Sequence, residues 1–381
     1  MAQNTWTGRL RPSEKTSFDS LTPAPGALCC VANTDAPQET LVYFVYLNSG
    51  AANTVFRIQP WSPKSGSKAF VFARNDRGDA ITAVQRDGIV NQVLRISKGV
   101  DKSLPCEDVV YGFEHDVRPL FAPTGPPGST VARRVDAHLM DHRGVLLSTD
   151  VLEELFVQLN TANKSAVLPT PTGARWGILL PDMSPAPGSM TLEVKPKWLL
   201  QSPDAPADAI RCRTCALQAS RHRDAKGYIC PLRLVGRDQR DIVPWVRASI
   251  VAHYKGPPDA VDEVVSRLLE YITTGDGQFL LQHLKVLQAT LDPVGVLCRD
   301  SATDKIAFDR NLRLAMTLRD CSWFVNVPYA TGSNITSKLA DLDFKSAAKL
   351  HDWAQKEEEL VKGNWYTRKD VADYRCGLAQ D

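Results

Sequence analysis

The stretch LVYFVYLNSGAANTVFRI, residues 41–58, decides the fold class. Its two ends are β-branched, aromatic or leucine-rich, and small and polar residues interrupt them at Asn48 to Asn53. That pattern predicts two strands joined by a turn. Working outward, KAFVFA (Lys68 to Ala73), NQVLRIS (Asn91 to Ser97), RWGILL (Arg175 to Leu180) and SMTLEVKP (Ser189 to Pro196) read as further short strands. Those that precede the break PDMSPAPG lie so close together that they predict an antiparallel sheet in a small β-rich lobe over residues 41–184. Residues 1–40, interrupted by Pro23, Pro25 and Pro37, read as an irregular arm. Ser103 to Arg134, which contains APTGPPGS, reads as a long surface loop.

The break PDMSPAPG leads into a more helical region, residues 185–381. In PPDAVDEVVSRLLEYITTG, Val261, Val264, Val265, Leu268, Leu269 and Ile272 recur at steps of three and four and form one apolar helix face. DVLEELFVQL earlier in the chain and FLLQHLKVLQATL before Pro293 are further helices. LRLAMTLRDCSWFVNV and KLADLDF read as a strand pair, followed by a charged helix from Ser346 to Val361. The expected class is α+β with a small β-rich lobe and a larger α+β lobe, and ligands favour clefts between lobes.

Composition narrows the function. The 381 residues carry 45 Lys plus Arg and 43 Asp plus Glu, so net charge is 45 − 43 = +2. A near-neutral chain without aromatic residues interleaved in its basic segment gives no reason to expect direct nucleic-acid or membrane binding. An apolar share of 43% excludes a disordered chain. No apolar run approaches a membrane span, and MAQNTWTGRL lacks the layout of an export signal. Nine cysteines are too sparse for a disulfide scaffold, so reduced thiols in the nucleus or cytoplasm are expected.

The charge is unevenly distributed. From Glu193 to Arg240 there are ten Lys or Arg against five Asp or Glu, a local +5. Glu193, Lys195 and Lys197 share one face if that segment is a strand. Arg213 and Arg221 lie two turns apart if theirs is a helix. Guanidinium forks and mobile ammonium groups suit a highly phosphorylated small ligand, although a solvated basic face gives the same pattern. Gly50-Ala51-Ala52-Asn53 is either a plain hairpin turn or one that admits a polyphosphate to its N–H groups. Arg95 lies within an otherwise apolar strand and either faces solvent or is kept for an anion.

Asp320 beside Arg319 suits a proton acceptor for a hydroxyl, and Asp341-Leu342-Asp343 at a strand end suits magnesium. For each aspartate the plainer reading is a capping or ion-paired residue. Lys345 and Lys349 follow Asp341 at helical steps of four. Cys212-x2-Cys215, with His222 and Cys230 nearby, is part of a zinc pattern without the usual second pair; buried thiols are the expectation.

In chain order, GAANTVFRI, VLRISKG, LEVKPKW, CRTCALQASR, YICPLRL, TLRDCS and DLDFKSAAKL resemble the inositol-pentakisphosphate 2-kinase family, over Gly50 to Val361. LEVKPKW is the most specific motif, and the chain looks like a fungal member. The resemblance implies a two-lobed, protein-kinase-related fold that moves the ATP γ-phosphate to the 2-hydroxyl of inositol 1,3,4,5,6-pentakisphosphate and forms phytic acid. Asp320 would then stand near the 2-hydroxyl, with Lys195 as a second catalytic group. Asp341 and Asp343 would serve Mg²⁺. Ala52, Asn53, Arg95, Lys195 and Glu193 would contact ATP, and Lys197, Arg213, Arg221, Lys345, Lys349 and Arg143 the inositide. A monomer is expected.

Two alternatives stay open: an inactive inositol-phosphate-binding protein, and a kinase of other positional specificity. An ordinary protein kinase is disfavoured, since H-R-D-x4-N and D-F-G are absent. The chain departs from plant members at Thr274 to Phe279, where their Asn pair is missing, and at Trp353, where an aromatic hydroxyl is expected. Between Pro231 and Arg319 it has only Cys298, His253 and His283 as soft ligands, so no structural zinc is expected.

Overall fold

A computed structural model describes residues 6–11, 18, 24–32, 35–76, 80–101, 103–122, 134–161, 168, 170, 172–236 and 240–378. It is mixed α+β and divides into two compact units: Met1–Glu114 with Asp141–Asp182, and His115–Met140 with Met183–Asp381. The division after Asp182 falls two residues before the predicted boundary, and residues 115–140 join the second unit rather than the first.

The first unit holds β1 (Thr7–Arg9), β2 (Leu28–Ala32), β3 (Leu41–Ser49), β4 (Asn53–Pro60), β5 (Ala69–Arg74), β6 (Ala80–Ala83), β7 (Gln92–Ser97), α1 (Cys106–Gly112), β8 (Arg143–Leu147), α2 (Thr149–Thr161) and β9 (Arg175–Pro181). The strand order is β1-β6-β5-β2-β8-β9-β7-β4-β3, and β3 also pairs with β5 through Leu41↔Phe70 and Val42↔Ala69. That last ladder closes seven strands, β5-β2-β8-β9-β7-β4-β3, into a ring. The expected antiparallel sheet is therefore a closed barrel, and β2–β8 is a parallel ladder within it. Closure removes the exposed edges of those seven strands.

Period-two alternation explains the interior. Cys30 and Ala32, Val42 and Phe44, Phe56 and Ile58, Ala69 and Val71, Leu94 and Ile96, and Val145 and Leu147 all enter one buried cluster with Leu179. Val151, Leu152, Leu155 and Leu159 of α2 complete it. Gly177 of β9 is forced: a Cβ there would meet Leu94 Cδ1 at 2.8 Å and Leu147 Cδ1 at 3.3 Å.

Two expectations need correction here. The first forty residues are not simply an irregular arm, because β2 lies inside the ring with Cys29, Cys30 and Val31 fully buried. Nor is 103–134 one loop. α1 runs on through a π-helical turn, Phe113–Val117, and a 3-10 turn, Arg118–Phe121. Cys106, Val109, Phe113, Val117 and Phe121 recur at steps of three and four and are buried, a helical stripe that the neighbouring Pro and Gly masked. Most of APTGPPGS lies outside the described residues.

The second unit holds β10 (Ser189–Val194), α3 (Arg213–Ser220), α4 (Pro231–Val235), α5 (Ile242–His253), α6 (Val261–Thr273), α7 (Asp276–Leu291), α8 (Lys305–Asp320), β11 (Ser322–Pro328), β12 (Thr336–Ala340) and α9 (Leu350–Lys362). β10, β11 and β12 form an antiparallel sheet. LRLAMTLRD is helix rather than strand: Asp304 caps α8 by accepting from the Ala307 N–H at 2.9 Å, and Leu312, Ala315 and Leu318 are buried at helical spacing. Asp320 thus ends a helix, and Cys321 turns the chain into β11. Among the described residues no helix is long and apolar enough to cross a membrane.

Candidate functional site

β10 stops at Val194, yet burial continues to alternate past it. Val194, Pro196 and Trp198 point inward, and Lys195 and Lys197 outward. Lys197 takes a left-handed φ of 56°, which an unbranched lysine adopts only when its surroundings impose it. Gln288 of α7, fully buried, imposes it. Its side-chain oxygen accepts from the Leu199 N–H, and its amide nitrogen donates to the Lys197 carbonyl, both at 3.0 Å. Trp198 packs against two arginines, with the Arg319 guanidinium 3.5 Å and the Arg213 guanidinium 4.5 Å from its ring centre. Buried ion pairs fix these arginines: Arg319 to Asp292 at 2.5 Å, and Arg213 to Glu357 at 2.9 Å.

Around this frame lies a cavity of about 630 Å³. Its wall carries the cations Lys195, Lys197, Arg213, Arg221, Arg223, Arg319, Lys345, Lys349 and Lys356, and the acids Glu193, Asp320 and Asp352. Five of the six expected inositide ligands, Lys197, Arg213, Arg221, Lys345 and Lys349, therefore line one cavity. They come from β10's extension, from α3 and its C-cap, and from the segment before α9. Lys345 and Lys349 do not reach it on one helix with Asp341, as the spacing suggested. Residues 341–346 are irregular, and a 3-10 turn, Ala347–Lys349, precedes α9. Burial and the nearby Lys345 charge hold the Lys349 ammonium below its ordinary pKa. Arg143 instead begins β8 in the first unit, exposed to solvent.

Asp320 sits on the cavity wall. Lys197 Nζ donates to Oδ1 at 3.1 Å and Lys345 Nζ to Oδ2 at 2.9 Å. Burial pushes its carboxyl up, but the two ammonium groups outweigh burial and leave the pKa lowered to about 2. Lys195 Nζ donates to Ser322 Oγ at 2.6 Å, and that oxygen is 2.8 Å from both Glu193 Oε1 and Asp341 Oδ2. Lys195 also lies 3.3 Å from Asp341 and 3.5 Å from Glu193. Burial depresses the Lys195 pKa, and these two carboxylates more than restore it, so it is raised. Asp341, with a φ of 56°, directly follows β12 and is exposed. Glu193 and Asp341, gathered on one hydroxyl, fit a hard divalent cation, which takes one or two carboxylates and completes its shell with phosphate and water. Asp343 is two residues further on, where its carbonyl accepts from Thr317 Oγ1 at 3.2 Å.

The remaining nucleotide candidates stand in the first unit. Gly50 to Asn53 is a closed turn, with the Gly50 N–H bonded to the Asn53 carbonyl at 2.9 Å and the Lys98 N–H to the Ala52 carbonyl at 2.8 Å. A Cβ at Gly50 would meet nothing within 4 Å, so packing does not demand glycine and the tip is open to a ligand. Arg95, between interior Leu94 and Ile96, points out of the ring by alternation but is buried, so it is not the solvent-facing charge allowed for above.

Sequence reasoning missed several members of the site. Lys356 follows Lys349 and Trp353 at helical steps, a signal that would have found it; Trp353 itself lines the cavity. Gln288 and Ser322 gave none, because their roles depend on partners 91 and 129 residues away. The thiols of Cys212, Cys215 and Cys230 are buried, as expected. Cys212, Cys215 and Cys230 are joined by Cys376 in one buried four-thiol group, while His222 stays apart, edge-on to Trp365.

Comparison with known proteins bears on this geometry. A family model described as inositol-pentakisphosphate 2-kinase matches residues 46–359. An inositol-pentakisphosphate 2-kinase of Yarrowia lipolytica is 35% identical over 188 residues, covering 47% of this chain and 55% of the relative. One of Eremothecium gossypii is 28% identical over 169 residues, covering 44% and 53%. The chain spans about half the length of the curated relatives it matches. Since the family model covers most of the chain, including the LEVKPKW segment, the cation-lined cavity and Asp320, the chain belongs to the inositol-pentakisphosphate 2-kinase family.

Proposed function

We propose that this chain transfers the γ-phosphate of ATP to the 2-hydroxyl of inositol 1,3,4,5,6-pentakisphosphate. The observation that carries the reading is one cavity with nine cationic residues on its wall and Asp320 set between two of them. A ring bearing five phosphates needs many paired cations once it leaves water. Lys197, Arg213, Arg221, Lys345 and Lys349 would hold those phosphates. Asp320 would take the hydroxyl proton. In the free protein its two lysines make it a weak base; as they turn to the phosphates, the carboxylate loses that bias and its basicity rises.

ATP supplies the phosphoryl group, and Mg²⁺ neutralises charge on it. Asp341, with Glu193 or Asp343, would hold the metal, and Lys195 the nucleotide phosphates. Ala52, Asn53 and Arg95 are assigned nucleotide contacts on the family resemblance together with the open turn. Catalysis would rest on positioning and charge rather than on a covalent enzyme intermediate. The separation into a β-rich and an α+β unit supports a protein-kinase-related fold, although a closed barrel replaces a simple sheet. A monomer in the nucleus or cytoplasm, without nucleic-acid or membrane ligands, completes the proposal.

The test is product formation by purified protein with ATP, Mg²⁺ and the pentakisphosphate, against a panel of isomers. Hexakisphosphate from that isomer alone is expected. Tight inositide binding without product would leave a binding protein. Phosphorylation of another hydroxyl would move the assignment to a different specificity.

A further inference from the structure

Five of the nine cations on the cavity wall sit 2.5–3.3 Å from a carboxylate. The other four, Arg221, Arg223, Lys349 and Lys356, form no ion pair among the described residues. Arg221 and Lys349 are among the ring ligands proposed above. Arg223 and Lys356 are not, and both are exposed on the same wall.

A strained turn places Arg223. Arg221 is the C-cap of α3, and His222 follows with a left-handed φ of 48°. The His222 N–H donates to the Ala219 carbonyl at 3.0 Å, and the Arg223 N–H to the Gln218 carbonyl at 3.2 Å. That pair of bonds is a Schellman cap, whose left-handed position usually belongs to glycine. Histidine takes it here at a cost in backbone energy, with its ring edge-on to Trp365 and the centroids 5.8 Å apart. The reversal leaves Arg221 and Arg223 on one cavity wall. Strain kept in a turn that delivers two unpaired arginines points to function.

Lys356 comes from α9. Lys349, Trp353 and Lys356 recur at steps of four and three and line the cavity as one stripe. Burial and the Lys345 charge hold the Lys349 ammonium below its ordinary pKa, and Lys356 adds to that push. Lysines that repel one another in the free protein gain relief when an anion arrives.

We propose that Arg223 and Lys356 determine acceptor specificity. Each binds a ring phosphate of the inositide, so the cavity selects an acceptor that carries that phosphate over one that lacks it. The Arg223 guanidinium suits two oxygens of one phosphate, and Lys356 acts as a mobile point charge. An acceptor without that phosphate leaves the cation facing only like charges. The inference rests on the inositide reading of the cavity.

The test is calorimetric binding of the pentakisphosphate, and of each tetrakisphosphate lacking one of its phosphates, to wild type, Arg223→Ala and Lys356→Ala. Each substitution should weaken pentakisphosphate binding about 10-fold, with nucleotide binding and thermal unfolding of the free protein unchanged. The tetrakisphosphate that lacks the phosphate a residue holds should bind variant and wild type equally. In turnover the loss should fall on KM, with kcat within about twofold. Pentakisphosphate binding unchanged in a variant would overturn the assignment of that residue. So would an equal loss for every isomer, which marks a general field rather than a contact. A wild type that binds the inositide without turnover would overturn the kinase reading alone; one that binds no inositide would overturn both.

Discussion

Both units bury apolar residues, but the second also buries ion pairs. The barrel fills its ring with apolar residues at alternate positions, from Cys30 to Leu179. The second unit buries Arg319 against Asp292, Arg213 against Glu357, and Gln288 against the Lys197 and Leu199 backbone. Apolar filling gains stability with little geometric selectivity, whereas a buried ion pair gains little net stability because both partners lose water. In this unit the pairs hold Trp198 in place, and Gln288 holds Lys197. The polar interior serves to aim the cations on the cavity wall.

That contrast can be broken at its chemical end first. Asp320→Asn should keep inositide binding and lower turnover by about 10²–10⁴-fold; steady-state kinetics beside calorimetric binding would check both halves. Next, Asp292→Ala strands the Arg319 charge in the interior and should cost about 3–5 kcal/mol in chemical denaturation. Replacing the pair together, as Asp292→Leu with Arg319→Met, should recover most of that loss, because no charge is then left buried alone. If the double variant is as unstable as the single one, the pair is a source of stability after all.

In the barrel, Gly177→Ala should destabilise by about 1–3 kcal/mol, since the added methyl meets Leu94 and Leu147 in a filled interior. Thermal unfolding would detect it. The smallest effect is acidic. Asp320 has its pKa lowered to about 2 from an ordinary 3.8, so its ion pairs stabilise the fold fully above about pH 4 and are lost as pH falls through about 2. Because the carboxylate is half-exposed, the gain is about 1 kcal/mol or less. The drop in stability across that window should be shallower in Asp320→Asn than in the wild type.

Much of the site's content was legible. LEVKPKW carried its alternation into the structure even though the ladder ended at Val194, and five of six expected inositide ligands share the cavity. The sixth, Arg143, begins β8 in the first unit. The TLRD segment was misread as strand because Leu312, Leu314 and Leu318 also fit short alternation. Asp304 as an N-cap and the run of buried helical positions decide for helix. Strands β2 and β8 were missed because LCCVA and RGVLL are short and lie beside proline-rich or charged neighbours.

The sequence by itself determined which faces are apolar and that one segment concentrates positive charge, because both follow from residue order over a few positions. Only the tertiary structure decided that seven strands close on themselves, that Gln288 clamps Lys197, and that Cys376 completes a four-thiol group. Each of these depends on partners brought together by chain closure across many residues, and local periodicity carries no record of which distant partner will arrive.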